Sequence, residues 1–199
     1  MVVEEEGRVV SELNLLVVVG STRPGRVGPK VADWFVDAAK AHGGFQVNVA
    51  DLADENLPLL DEPHHPRLQN YQNDHTKRWS EKVAAADAIV FVIPEYNYGL
   101  GAAFKNALDY LHAEWNYKAA SVVSYGGVSA GTRSALQLQS SAYALKLFMI
   151  PESVNIPFVH SLVQEGELRP TEIMTTAATA VLNELAKVST ALKPLRDAK

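Results

Sequence analysis

The stretch Leu13-Asn14-Leu15-Leu16-Val17-Val18-Val19-Gly20-Ser21-Thr22-Arg23-Pro24-Gly25-Arg26-Val27-Gly28 decides how this 199-residue chain is read. Its first half is a nearly unbroken aliphatic run, rich in β-branched residues and too short for an average helix. That is the pattern of a strand buried on both faces of a parallel sheet. The second half turns abruptly to glycine, hydroxyl and arginine, and a helical pattern follows. Buried strand, tight polar loop and helix start together make an anion site, because the first backbone N–H groups of a helix lack partners and its dipole favours negative charge. Ser21 and Thr22 can donate hydroxyl hydrogen bonds, and Arg23 and Arg26 can add forked, charge-assisted ones. The spacing matches neither the Gly-x-Gly-x-x-Gly dinucleotide fingerprint nor a Walker loop. The expected ligand group is a phosphate.

Outward from this loop, strands and helices alternate. Residues 27–41 read as a helix, with Val31, Trp34, Phe35 and Ala38 recurring at helical spacing before Gly43-Gly44. A strand follows at 45–49, so a right-handed parallel β–α–β unit is expected. Residues 54–75 contain Pro58, Pro63, Pro66 and His64-His65 without periodicity. They read as a surface loop or an active-site flap. The adjacent histidines are not spaced to converge with Asp61 or Glu62 on a metal. A short helix is expected from His75 to Asp87, then a fully apolar strand over 88–93 that runs into Pro94-Glu95-Tyr96-Asn97-Tyr98-Gly99. Residues 101–115 place Phe104, Ala107, Leu108, Leu111 and Trp115 on one helical face. A strand over 118–124 leads to Tyr125-Gly126-Gly127, a helix spans 131–147, and the last strand lies within 148–156, interrupted by Pro151. A helix over 171–192 closes the pattern, with Val181, Leu185, Val188 and Leu192 in one stripe.

Five strands alternating with helices give a doubly wound α/β sheet, in which ligands bind beyond the carboxyl ends of the strands. Three glycine-bearing loops share that edge, and Tyr96, Tyr98, Tyr125 and Asn97 add aromatic faces and an amide. One phosphate loop and two backbone-rich loops suit a flavin mononucleotide (FMN).

Composition narrows the function. With 47% hydrophobic and 21% charged residues the chain is ordinary globular material, and its net charge of −5 argues against a general affinity for nucleic acid or anionic membrane. It contains no cysteine, so disulfides, thiolate nucleophiles and iron–sulfur ligation are excluded. No run reaches the roughly 18 apolar residues of a membrane span. Residues 1–12 carry Glu4-Glu5-Glu6 and no signal-peptide pattern; they are expected to form a leader, residues 13–199 a single domain, and the cytoplasm to be its location.

In this order, Gly20-Ser21-x-Arg23, Pro94-Glu95-Tyr96-Asn97, Lys105-Asn106-Ala107-Leu108-Asp109 and Ser124-Tyr125-Gly126-Gly127 resemble the NADPH-dependent FMN reductases of flavodoxin-like fold. The resemblance implies strand order 2-1-3-4-5, FMN at the three loops and electrons from NADPH or NADH. It implies that Ser21 and Arg23, with the backbone around Val27 and Gly28, hold the phosphate, and Arg26 lies in the same loop. Many relatives carry Ser or Asn near Arg26 and Gly28, which this chain does not. Pro94, Glu95, Tyr96 and Asn97, beside Tyr98, would line the isoalloxazine, and Ser124, Tyr125, Gly126 and Gly127 would complete its pocket. A homodimer or dimer of dimers, packed through helices such as 101–115, is also implied. Hydride would pass from the nicotinamide to the flavin and then to a quinone, azo dye, flavin or metal oxyanion, by a ping-pong mechanism that needs no catalytic residue beyond the cofactor. A non-enzymatic FMN electron carrier and a flavin-binding regulatory module are the alternatives.

Overall fold

The computed structural model describes residues 13–197; the leader expected over 1–12 lies outside them. The elements are β1 (Leu13–Val19), α1 (Gly28–His42), β2 (Phe45–Asp51), α2 (Leu52–Glu55), α3 (Asp74–Ala84), β3 (Ala88–Pro94), α4 (Ala102–Asp109), β4 (Ala119–Tyr125), α5 (Thr132–Ala144), β5 (Phe148–Met149), β6 (Val154–Ile156), β7 (Val163–Gln164), β8 (Glu167–Leu168) and α6 (Glu172–Asp197). The main sheet is parallel in the order β2-β1-β3-β4-β5, with β6 also on β4. This is the flavodoxin-like order.

The aliphatic runs form the middle of the sheet because both of their faces are covered. Leu15, Val17 and Val19 of β1 pack with Val31, Phe35, Val181 and Leu185 of α1 and α6. Leu16 and Val18 face the other way, into a core with Phe91 of β3 and with Trp79, Phe104, Leu108, Trp115 and Leu138 from the opposite layer. Alternate residues of one strand thus feed two separate cores. Pro151 splits the fifth strand position into β5 and β6, and the Ser121 hydroxyl spans the break by donating to the Glu152 carbonyl at 2.7 Å.

Several elements differ from expectation, among them α2 at Leu52–Glu55, whose second half falls in the segment expected to be loop. The helix expected over 101–115 ends at Asp109, and residues 113–115 form a separate 3-10 turn. Two indoles stop it: Trp79 Nε1 donates to the Ala107 carbonyl at 2.9 Å and Trp115 Nε1 to the Leu108 carbonyl at 3.2 Å. Those carbonyls would otherwise take the next helical N–H groups. The last helix runs past Pro194 to Asp197, because Arg196 and Lys193 of its final turns bind buried Asp87 at 2.6 and 3.2 Å. The hairpin of β7 and β8 was not anticipated; its strands are two residues each, too short for periodicity to register.

The 57–73 loop is fastened to α3, α4 and the turn after α4. Asn106 donates to the Pro58 carbonyl and accepts from Leu60 N–H, while Asp61 accepts from the Tyr110 hydroxyl and Asn73 and bonds His75. Glu62 accepts the Gln72 and Asn73 N–H groups at the start of α3. His65 Nδ1 accepts Arg67 N–H. Asp61, Glu62 and His65 are thus engaged locally.

Candidate functional site

The loop after β1 is stitched to the sheet by Gly20 N–H donating to the Val92 carbonyl at 2.9 Å. Ser21, only 1% exposed, shares a 2.6 Å hydrogen bond between its Oγ and the Tyr96 hydroxyl. Arg23 is exposed. Arg26 turns inward instead: Nη1 donates to the Ser21 carbonyl at 2.7 Å and to Asp51 Oδ1 at 2.5 Å. Its hydrogen bond with Asp51 raises the Arg26 pKa against the opposing effect of burial. Asp51 sits at the carboxyl end of β2 and also caps α2 by accepting Ala53 N–H at 3.0 Å. Helix α1 starts with Gly28 and Pro29; Val27 provides no side-chain cap and no acid occupies the first turn. Neither its cap nor its first turn thus supplies an anion to its positive end.

The loop after β3 is a tight reversal in which Tyr96 and Gly99 exchange backbone hydrogen bonds of 3.0 and 3.1 Å. Asn97 (φ 48°) and Tyr98 (φ 68°) are both left-handed, the geometry of a two-residue type I′ turn. The Tyr98 ring lies under the Arg133 guanidinium, 4.0 Å from centroid to carbon. Glu95 binds this loop to the start of α5: it accepts the Ser129 hydroxyl at 3.0 Å, Arg133 N–H at 3.1 Å and Arg133 Nη1 at 2.7 Å. Burial pushes the Glu95 carboxyl up, but the bonds from Arg133 and Ser129 outweigh it and hold it below the usual range.

The loop after β4 folds back on its own strand. The Ser124 hydroxyl donates to the Ala130 carbonyl at 2.8 Å, and Gly131 (φ 77°) packs so tightly that a Cβ there would lie 2.7 Å from Tyr125 N. Gly126 and Gly127 offer their carbonyls to Val159 and Phe158 N–H at 3.1 and 3.0 Å.

These loops enclose a cavity of about 430 Å³ beyond the carboxyl edge of the sheet. Ser21, Arg23, Arg26 and Val27 form one wall, Pro94, Glu95 and Tyr96 a second, and Tyr125, Gly126 and Gly127 a third. Gly28, Asn97, Tyr98 and Ser124 stand outside this lining: Gly28 lies beneath the Tyr125 hydroxyl, Asn97 and Tyr98 form the turn, and Ser124 is buried under Ala130. A fourth wall, from Phe158 to Ser161, escaped the sequence reading. The signal available was position, since residues after β6 necessarily reach the same edge. No residue of the 57–73 loop lines the cavity.

The donor set suits FMN. An uncapped helix start and Arg23 present donors at one end, and glycine backbone and aromatic walls stand at the other.

The sequence profile of NADPH-dependent FMN reductases matches residues 13–161. The chain belongs to this family. Among curated relatives, an NAD(P)H-dependent FMN reductase of Schizosaccharomyces pombe is 39% identical over 158 residues, 78% of each chain. Another, from Saccharomyces cerevisiae, is 32% identical over 182 residues, 83% of this chain and 95% of that one. The solved structure of FerB, a flavoenzyme NAD(P)H:(acceptor) oxidoreductase from Paracoccus denitrificans, shares the fold with a TM-score of 0.71 at 19% identity, covering 90% of this chain and 98% of that chain. As a family member the chain is an NAD(P)H-dependent oxidoreductase that uses FMN. Among the described residues no helix is long and apolar enough to cross a membrane.

Proposed function

We propose that residues 13–199 act as one FMN-binding domain, with the cofactor in the four-walled cavity, and that donor and acceptor use its mouth in turn. The observation that carries this reading is the convergence of the loops after β1, β3 and β4 on one space of about 430 Å³. Arg23 and the first turn of α1 hold the phosphate, while Pro94, Tyr96 and the Gly126-Gly127 backbone flank the ring. FMN held there would supply the redox chemistry, hydride acceptance from NAD(P)H and delivery of two electrons to a small acceptor of the quinone, azo, flavin or metal-oxyanion type. The protein's part is orientation. Glu95 and Arg133 lock the second wall to α5, and the carbonyls of Gly126 and Gly127 lock the third wall to the fourth. One shared mouth implies ping-pong kinetics.

A homodimer is part of the proposal. Leu59, Leu60 and Leu68 of the 57–73 loop, with Leu136 and Tyr143 of α5, are exposed large apolar side chains on the layer that holds α4 and α5. Anaerobic titration of the FMN-loaded protein with NADPH tests the central reading. Bleaching of the flavin band, reversed by a quinone or air, is expected; bound flavin that stays oxidised, or failure to bind FMN, overturns it.

A further inference from the structure

Phe158, in the fourth wall, has a left-handed backbone (φ 47°, ψ 41°) although it carries a large side chain. A Cβ makes that conformation costly, and glycine is the residue that adopts it freely. Four hydrogen bonds hold it there. Phe158 N–H donates to the Gly127 carbonyl at 3.0 Å and Val159 N–H to the Gly126 carbonyl at 3.1 Å. The Phe158 carbonyl accepts Ser161 N–H at 2.9 Å and the Ser161 hydroxyl at 2.8 Å. Val159, the next residue, is buried in the core.

Neither the core nor a neighbouring side chain accounts for a ring at this position. Phe158 is 58% exposed and lies outside both hydrophobic clusters. Tyr98 and Tyr117 are also aromatic residues of positive φ, and each has a partner: Tyr98 lies under Arg133, and Tyr117 stacks on Phe148 at 6.2 Å. Phe158 has no such ring or cation among the described residues. It lines the cavity instead, bonded through its backbone to the Gly127 that stands in the third wall. Backbone strain retained at a binding cavity points to a role in binding. A phenyl group offers no charge and no hydrogen bond. It offers a rigid apolar face, which a flat ring stacks against and a hydrated inorganic ion does not.

We propose that Phe158 is a specificity-determining residue for the electron acceptor: its ring, fixed at the rim of the cavity by a strained backbone, receives planar aromatic acceptors and does nothing for inorganic ones. This rests on FMN occupying the cavity as proposed above. Within the acceptor classes named there, it selects quinones and azo compounds over metal oxyanions.

The first readout is binding rather than turnover. 2-Naphthol is a flat ring that reduced flavin does not reduce, and its binding to the oxidised, FMN-loaded protein is followed by the shift in flavin absorbance. Phe158→Gly removes ring and strain together, Phe158→Ala the ring alone, and Phe158→Tyr keeps a ring. Naphthol affinity is expected to fall about tenfold in the first two and to be retained in the third. The second readout is anaerobic reoxidation of the pre-reduced protein. A naphthoquinone takes up a hydride and a solvent proton and leaves as the hydroquinone, whereas two ferricyanide ions take one electron each. Phe158→Gly should slow the quinone about tenfold more than ferricyanide. Melting of the flavin-free proteins is the control: the glycine variant should melt no lower than the alanine variant, because glycine alone is at ease in the left-handed region. Equal slowing of both acceptors overturns the proposal, as does a glycine variant less stable than the alanine one. Naphthol affinity that is absent in the wild type or indifferent to residue 158 does so too. Weakened FMN retention in Phe158→Gly would assign the ring to the cofactor, which also overturns it. Wild-type protein that does not bind FMN overturns the cavity assignment itself, whatever residue 158 does.

Discussion

Arg26 Nη1 stands 2.5 Å from Asp51 Oδ1, so the second arginine of the loop after β1 is spent on the end of β2 rather than left free for a ligand. The same nitrogen holds the Ser21 carbonyl at 2.7 Å. Arg26 thereby shapes the loop, and Arg23 is the arginine that remains exposed beside the cavity.

That pairing makes Asp51→Asn informative. Asparagine keeps the cap on α2 but removes the charge that neutralises Arg26. FMN affinity is expected to rise about three- to tenfold, with a steeper dependence on salt. Fluorescence titration at two ionic strengths measures both; weaker binding at low salt would count against the charge argument.

Much of this arrangement was legible because parallel sheets announce themselves. The runs 13–19 and 88–93 are apolar on both faces, and their loops must emerge at one edge. What was not legible depended on single long-range side chains. Nothing local in 101–115 shows that Trp79 will end α4 by taking the Ala107 carbonyl, nor that Asp87 will hold the helix beyond Pro194. The partner of Arg26 is 25 residues away on another strand, and the fourth wall follows a strand of only three residues.

Lys118 is a buried amine, 3% exposed, that donates to the Val83 and Ala84 carbonyls at the end of α3. Burial, reinforced by nearby Arg196, lowers its pKa to about 7. A neutral amine has two N–H donors, one for each carbonyl, whereas the ammonium carries a third proton. Because the folded pKa lies below the unfolded value, the unfolded chain holds more protons above about pH 7, and folding stability rises with pH there. Between about pH 7 and 9.5 the wild type should gain up to about 1 kcal/mol per pH unit relative to Lys118→Met. Urea melts across that range test it, and parallel curves for the two proteins would sink the idea.

Asp87 gives the same sign of pH dependence, at lower pH and from the opposite cause: here the charged form is favoured by its partners. It is 6% exposed, and although burial raises its pKa, the Asn14 N–H, Lys193 and Arg196 bring it below the usual value. A carboxyl depressed in the fold stabilises above its unfolded pKa and loses that contribution as pH falls through the folded one. Asp87→Asn should cost about 1–3 kcal/mol at pH 7, where β1 and α6 both lose their shared anchor. The gap between the two proteins should shrink in denaturant melts as the pH falls below the ordinary carboxylate range; a constant gap would mean that packing, not charge, sets the difference.

Gly131 joins stability to the site. Its φ of 77° is one that residues with a side chain rarely adopt, and a Cβ there would meet Tyr125 N and O at 2.7 and 2.8 Å. Backbone of a β4 residue cannot move aside without shifting Tyr125, Gly126 and Gly127, which form the third wall. Gly131→Ala should therefore destabilise the fold by about 2–4 kcal/mol, combining left-handed strain with the clash. It should also weaken FMN retention, because the wall that moves is the one facing the cavity. Gly127→Ala provides the comparison: no heavy atom lies within 4 Å of its would-be Cβ, and melting is expected to change little. Thermal melts of both variants, with and without FMN, separate the effects. A Gly131→Ala protein as stable as Gly127→Ala would show that the loop has another conformation within reach.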